Sequence, residues 1–218
     1  MSAAVSPVPL SIEMMTSRQL VRRARLIETM IELVNESGSA SIQMRDVTER
    51  SGVALGTAYR YFRSKDHLQA AALVEWQGKV TRRILVSNRD PDSDVLLLVK
   101  DFLRRALQAF DRLPGMAALT VQMLASAEPE VQRLMEQNSE LHVAAFDHLL
   151  AGVPEDEIPS IRLAIHCVLW DAVKRMSSGR ITFQEALAQV EGVADILLGA
   201  RARRSDALRG NRSERTSA

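Results

Sequence analysis

A single cysteine, Cys167, stands in this sequence, so no disulfide can form within the chain. Long apolar runs are missing too: no stretch reaches the roughly 18 residues that suggest a membrane span, and the nearest is broken by Lys174 and Arg175. The opening residues MSAAVSPVPLSIEMM lack the basic start and continuous apolar run of a secretory signal, so the expectation is a cytoplasmic protein with no membrane partner. An excess of one charge is absent as well. The formal net charge is +1, so any affinity for a polyanion must come from local clustering. Aromatic residues make up only 4% of the chain, whereas Ala, Leu, Met, Arg and Glu are abundant, which favours helices over sheets. With 46% hydrophobic residues over 218 positions, the chain can bury a sizeable core, which excludes disorder throughout.

The parts of an enzyme are also missing. There is no H-E-x-x-H, C-x-x-C, Walker loop or G-x-S-x-G. His142 and His148 lie six apart and share no helical face. His166 and Cys167 sit on an apolar helix, where a packed imidazole and a buried thiol are expected rather than a nucleophilic pair. Glu155, Asp156 and Glu157 occupy a loop that they solvate. The expectation is no catalytic residue, no metal site and no cofactor.

What is present is a succession of capped helices and hence an all-α fold. Residues 1–15, broken by Pro7 and Pro9, read as a disordered arm. Thr16 and Gln19 have the spacing of a capping box, and Leu20, Ala24, Ile27, Ile31 and Val34 then form an apolar stripe ending near Gly38. Arg18, Arg22, Arg23 and Arg25 crowd the first two turns, where they oppose the helix dipole; an outside anion would relieve them, or they form a merely solvated face. Ser41 can cap a second helix in which Met44, Val47 and the aliphatic part of Arg50 share a face, closed by Gly52. LGTAYRYF follows, too short for a stable helix without packing. Ser64 then caps a long helix carrying Leu68, Ala71, Ala72, Trp76, Val80 and Ile84. A helix, a tight turn and a short second helix make a helix-turn-helix. Beyond residue 87 the spacing predicts helices at about 93–112, 115–126, 129–150, 158–178 and 182–201, separated by proline- and glycine-containing breaks. Arg201, Arg203, Arg204, Arg209, Arg212 and Arg215 mark 202–218 as a basic, disordered tail.

The short helix carries a mixture that solubility alone does not explain. Ala58 and Phe62 can point inward, which leaves Thr57, Tyr59, Arg60, Tyr61 and Arg63 on or near the outside. Exposed tyrosines beside arginines suit a phosphate backbone: hydroxyls donate to phosphate oxygens, cations neutralise, and Gly56 lets two backbones approach. Lys65 adds its charge in the first turn of the next helix. Across residues 16–65, nine Lys or Arg stand against five acids, a local balance of +4.

The run SIQMRDVTERSGVALGTAYRYFRSKDHL resembles the N-terminal domain of the TetR family of bacterial transcriptional repressors, over about residues 20–75. Thr48, Ser51, Ala54 and Ala58 depart from the family's usual Ala, Ala, Ser and Leu. QMR, GTAYRYF and SKDHL together are similar to its KstR-type members. The resemblance implies a three-helix DNA-binding domain at 16–64 and a larger helical ligand-binding and dimerisation domain at 65–201. By analogy Gln43 and Arg45 touch the DNA backbone, Tyr59 and Lys65 clamp phosphates, and Leu55, Gly56, Thr57 and Arg60 lie nearest the major groove, with Arg60 as the candidate reader of a guanine edge. For Tyr61, DNA contact and packing against the first helix remain alternatives.

One helix-turn-helix buries too little surface for the usual specific affinity, so a homodimer on a palindromic double-stranded operator is expected. The resembled family builds its dimer from the last two helices, which here present Ile161, Ile165, Leu169, Ala172, Val190, Ala194 and Leu197; packing within the subunit is the alternative. A central apolar cavity, implied by the family, would draw on Trp76, Phe102, Phe110, Met116, Met123, Phe146 and Trp170, although methionines at helical spacing are as compatible with ordinary core. The expected effector is a small hydrophobic molecule, an acyl thioester or a polycyclic compound. The rival reading is a DNA-binding protein governed by a protein partner instead.

Overall fold

The computed structural model describes residues 12–87 and 94–216, with side chains through Gly199. Among the described residues there is no β-strand. A 3-10 turn, Ile12–Met14, precedes α1 (Ser17–Ser37), α2 (Met44–Ser51), α3 (Leu55–Tyr61), α4 (Lys65–Ser87), α5 (Val95–Arg112), α6 (Pro114–Leu124), α7 (Pro129–Leu149), α8 (Ile158–Ser177) and α9 (Phe183–Thr216). Two compact units result, one from residues up to Lys79 together with Leu113–Ser139, the other from Val80–Arg112 together with the chain from Glu140. The first unit thus draws in α6 and the start of α7, an association absent from a division at residue 65.

Helix boundaries follow local chemistry. The Thr16 backbone N–H donates to the Gln19 side chain at 2.8 Å, and the Gln19 N–H returns to the Thr16 hydroxyl at 3.4 Å. Three expectations about these helices are corrected. Ser41 does not cap α2; its hydroxyl donates to the Ser37 and Gly38 carbonyls and so closes α1, while Asp46 accepts from the Gln43 N–H at 2.7 Å at the start of α2. Arg50 turns away from the apolar face of α2 and makes a two-pronged pair with Glu36 of α1, at 2.5 and 2.7 Å. At its far end α9 continues through Thr216, where a disordered tail was expected from residue 202. Extending a helix already anchored by packing avoids the cost of nucleation, and its Ala and Arg residues are good helix formers. Of the expected N-terminal arm, residues 1–11 lie outside the described residues; Ile12–Met14 form the 3-10 turn and Met15 is buried.

In the first unit the core line of α1 runs through Leu26, Ile27, Met30 and Val34, all nearly or fully buried, whereas Leu20 is 40% exposed. The inward face is therefore rotated from the stripe read in the sequence, because Met30 and Leu26 are the residues that α1 turns inward. Gly115, in the first turn of α6, sits against α1: a Cβ there would lie 2.4 Å from the Val34 carbonyl oxygen. Only glycine permits that approach. Ser39 donates to Gln122 of α6 at 2.7 Å, and the buried Gln69 amide donates to the Ser39 carbonyl at 2.8 Å.

In the second unit α5 packs against α8 and α9, and α8 against α9. Lys100–Asp195 and Arg104–Glu191, at 2.6 and 2.7 Å, bridge α5 to α9 along the outside. Being solvated, each contributes about 0–1 kcal/mol; the apolar seam matters more. The residues expected at a dimer surface lie in that seam. Ile161, Ile165, Leu169, Ala172, Val190 and Ala194 are buried inside the single chain and Leu197 is half-buried, so these residues hold the subunit's own helices together. Periodicity identifies an apolar face but not what covers it.

Candidate nucleic-acid interface

The turn between α2 and α3 depends on Gly52, whose φ of 67° lies in the left-handed region and ends α2 sharply. Ala54 then starts α3 with backbone bonds only, its carbonyl accepting from the Thr57 and Ala58 N–H groups at 2.8 and 3.0 Å. Seven residues do not sustain a helix alone, so α3 is held by what it buries. Ala58 and Phe62 are fully buried. The Phe62 ring meets His67 of α4 edge-on at 5.4 Å, and the Arg23 guanidinium of α1 lies 5.2 Å from its centroid.

Clamping from both sides leaves one face outward. On α3, Gly56, Tyr59 and Arg60 share a face at i, i+3 and i+4 and are exposed, with Tyr59 at 45%; Arg63, just beyond the helix, is exposed as well. Thr57, Leu55 and Lys65 are half-buried beside them, and Gln43 and Arg45 at the start of α2 are exposed. Tyr61 is the exception among the DNA-facing candidates: it is 4% exposed, on the inner side with Ala58 and Phe62. Its ring is part of the core, and the contact expected of two tyrosines rests on Tyr59 alone. The basic start of α1 divides similarly. Arg18, Arg22 and Arg25 are exposed, whereas burial beside Phe62 pulls the Arg23 guanidinium below its ordinary pKa, with Glu75 opposing that effect.

The corner joining α3 to α4 carries contacts that no local pattern announces. Ser64 caps α4 by accepting from the His67 N–H at 2.9 Å, as expected. Its hydroxyl also donates to the Glu128 carboxylate at 2.7 Å, and Arg63 pairs with Glu130 of α7 at 3.2 Å. The His67 Nδ1 accepts from the Arg63 N–H at 3.2 Å, and burial lowers the pKa of this imidazole. Glu128 and Glu130 lie more than sixty positions away, so the sequence carries no signal for those two links.

The expected pocket residues fall in both units. Trp76, Met116 and Met123 are buried in the first. In the second, Phe102 stacks edge-on against Phe146 at 5.1 Å and Phe110 against Trp170 at 5.8 Å. Trp170 also gathers two histidines from different helices, His142 at 6.1 Å and His166 at 5.8 Å. The available signal was the i, i+4 pairing of His166 with Trp170 on α8. Cys167, expected as a buried thiol, is exposed.

Residues 26–72, which span α2, α3 and the stretches that clamp them, match the family described as bacterial regulatory proteins, tetR family. The chain is 26% identical over 199 residues to the HTH-type transcriptional repressor KstR of Rhodococcus jostii (strain RHA1), covering 89% of this chain and 91% of that protein. The chain belongs to the TetR family of bacterial regulatory proteins. A TetR transcriptional regulator from Rhodococcus sp. RHA1 shares its fold with a TM-score of 0.65 and 27% identity, over 84% of this chain and 98% of that one. The regulator FadR from Bacillus subtilis, solved in complex with stearoyl-CoA, has a TM-score of 0.65 at 16% identity, over 80% of this chain and 97% of its own. This TetR chain is a transcriptional regulator, and α2 and α3 are its helix-turn-helix. No helix among the described residues is long and apolar enough to cross a membrane.

Proposed function

We propose that this regulator is a cytoplasmic repressor that binds a palindromic operator as a homodimer and leaves it when a hydrophobic small molecule binds. The observation that carries the reading is the outward face of α3, where Gly56, Tyr59 and Arg60 are presented by a helix clamped through Phe62. Arg60 reads a guanine edge, Tyr59 and Lys65 hold phosphates, Gln43 and Arg45 meet the backbone, and Leu55, Gly56 and Thr57 lie against the groove. Residues 16–64 serve the DNA and 65–201 serve the effector and the dimer. Selection of bound sequences from random duplex DNA tests this directly: a palindrome is expected, and enrichment of no sequence overturns the reading. In competition assays Arg60→Ala is expected to lose about 1–3 kcal/mol of discrimination at one base pair, while Tyr59→Phe weakens binding to all sequences alike. If Arg60→Ala discriminates as well as the parent protein, Arg60 is not the reader.

A surface between copies must use residues the subunit leaves free. Leu163, 64% exposed, and Cys167 lie four apart on α8; Ile196, 79% exposed, lies four after Gly192 on α9, where a Cβ would meet open space. Such stripes permit close helix approach between two subunits. Ile196→Glu is therefore expected to yield a monomer by sedimentation and to weaken operator binding roughly 100-fold through lost bivalency. A variant that stays dimeric removes α9 from the interface.

The proposed apolar lining for the effector is the set of aromatic side chains in the second unit, where Phe102 packs edge-on with Phe146 and Phe110 with Trp170. The stearoyl-CoA complex of the FadR neighbour supports an acyl thioester as one candidate class, beside polycyclic compounds. An effector acts only through its differential affinity for the DNA-competent state and the other.

A further inference from the structure

Within the second unit, α5, α7 and α8 bring Phe110, His142, His166 and Trp170 into one cluster centred on the indole. The centroids of the other three rings lie 5.8–6.1 Å from it. Phe110 is buried, while both histidines and Trp170 are half-buried, so their rings reach the edge of the packed interior. Neither imidazole hydrogen-bonds to another described residue. Polar groups this far out of water are normally paired, and a half-buried imidazole keeps one donor and one acceptor for whatever meets it. Burial holds both below the ordinary histidine pKa, His142 at about 4 with the neighbouring His166 adding to the effect. Arg162, one turn before His166 on α8, is already paired with Asp147. No free cation is therefore contributed by the cluster or by that turn.

We propose that His142 and His166, backed by Trp170 and Phe110, recognise an uncharged oxygen-bearing group, a ketone, hydroxyl or ester-type carbonyl, on an otherwise apolar ligand. One imidazole N–H donates to the ligand oxygen, the lone pair of the other accepts from a hydroxyl, and the aromatic rings pack on the adjoining hydrocarbon. A carboxylate meets no cation among the four clustered residues and would lose part of its hydration against two aromatic rings. The proposal rests on the effector reading above and narrows it to the polar end of the molecule.

The test uses the full-length protein and four probes of one ten-carbon chain: the methyl ketone, the secondary alcohol, the alkane and the carboxylate. Binding is followed by tryptophan fluorescence and calorimetry, and operator release is followed separately. The ketone and alcohol are expected to bind roughly tenfold more tightly than the alkane and the carboxylate, as one neutral hydrogen bond allows. In His142→Phe and His166→Phe the preference for ketone and alcohol over alkane should shrink to about twofold or less, and His142→Gln should recover part of it. Melting curves at neutral pH identify any variant that has lost its fold, in which case His142→Gln and His166→Gln supply the comparison with the parent protein. Tightest binding by the carboxylate, a preference that survives both Phe variants, or binding by none of the probes overturns the assignment. A histidine-dependent ketone that leaves operator affinity unchanged keeps this site and sinks the effector reading; a lipophile that releases operator equally from parent and Phe variants does the reverse.

Discussion

Phe62→Ala is expected to destabilise the DNA-reading unit by about 3–5 kcal/mol and to abolish operator binding with it. The ring is fully buried and is contacted from α1 by Arg23 and from α4 by His67. Truncation removes the transfer energy of a phenyl group and leaves a cavity that two helices must collapse into. It also strands the Arg23 guanidinium, which is partly buried over that ring. Because α3 has seven residues and relies on Ala58, Tyr61 and Phe62 for its place, its outward face is lost when the anchor goes. Denaturant unfolding followed by circular dichroism, together with operator titration, measures both effects. Phe62→Leu should retain most of the affinity, costing about 1.5 kcal/mol. An unchanged midpoint for Phe62→Ala would mean that the ring does not hold α3.

Acid is expected to weaken the second unit through His142. Its folded-state pKa is pushed down to about 4 from the ordinary 6.5, first by burial and then by His166. A group depressed in this way binds its proton more readily when unfolded. Stability is therefore full above about pH 6.5 and falls as the pH drops toward 4, by an amount on the order of 3 kcal/mol at about 1.4 kcal/mol for each pH unit. His166, also in the second unit and held below its ordinary value by burial, adds to the slope in the same direction, and His67 does the same in the first unit. Unfolding midpoints collected from pH 7.5 to 4 should show the decline. His142→Phe should flatten part of it while leaving neutral-pH stability within about 1 kcal/mol of the parent. A variant with the parent's full slope would assign the acid sensitivity to other groups.

The DNA-facing chemistry and the acid sensitivity were unequally legible in the chain. Helix ends were readable because capping acts over three or four residues: Thr16 with Gln19, Ser64 with the His67 N–H, Gly52 in its left-handed turn. The helix-turn-helix was readable for the same reason, since its signature is a chain of adjacent local signals, and so was the all-α class. Burial was another matter. Tyr59 and Tyr61 stand two residues apart on one short helix, yet one is 45% exposed and the other 4%, a choice made by where α1 and α4 lie.

By itself, then, the order of residues determined the succession of helices and most of their ends, the start of α2 and the far end of α9 excepted, and that α3 combines an anchor with a basic, hydroxyl-bearing exterior. Only the tertiary structure decided what each apolar stripe meets: α8 and α9 spend Ile161, Ile165 and Val190 on their own subunit and leave Leu163 and Ile196 outside. It alone brought His142 to His166 around Trp170, and Glu128 and Glu130 to the α3–α4 corner. The physical reason is range. Backbone hydrogen bonds and caps are satisfied between near neighbours in the chain, whereas desolvation and packing depend on surfaces contributed by segments tens of residues apart.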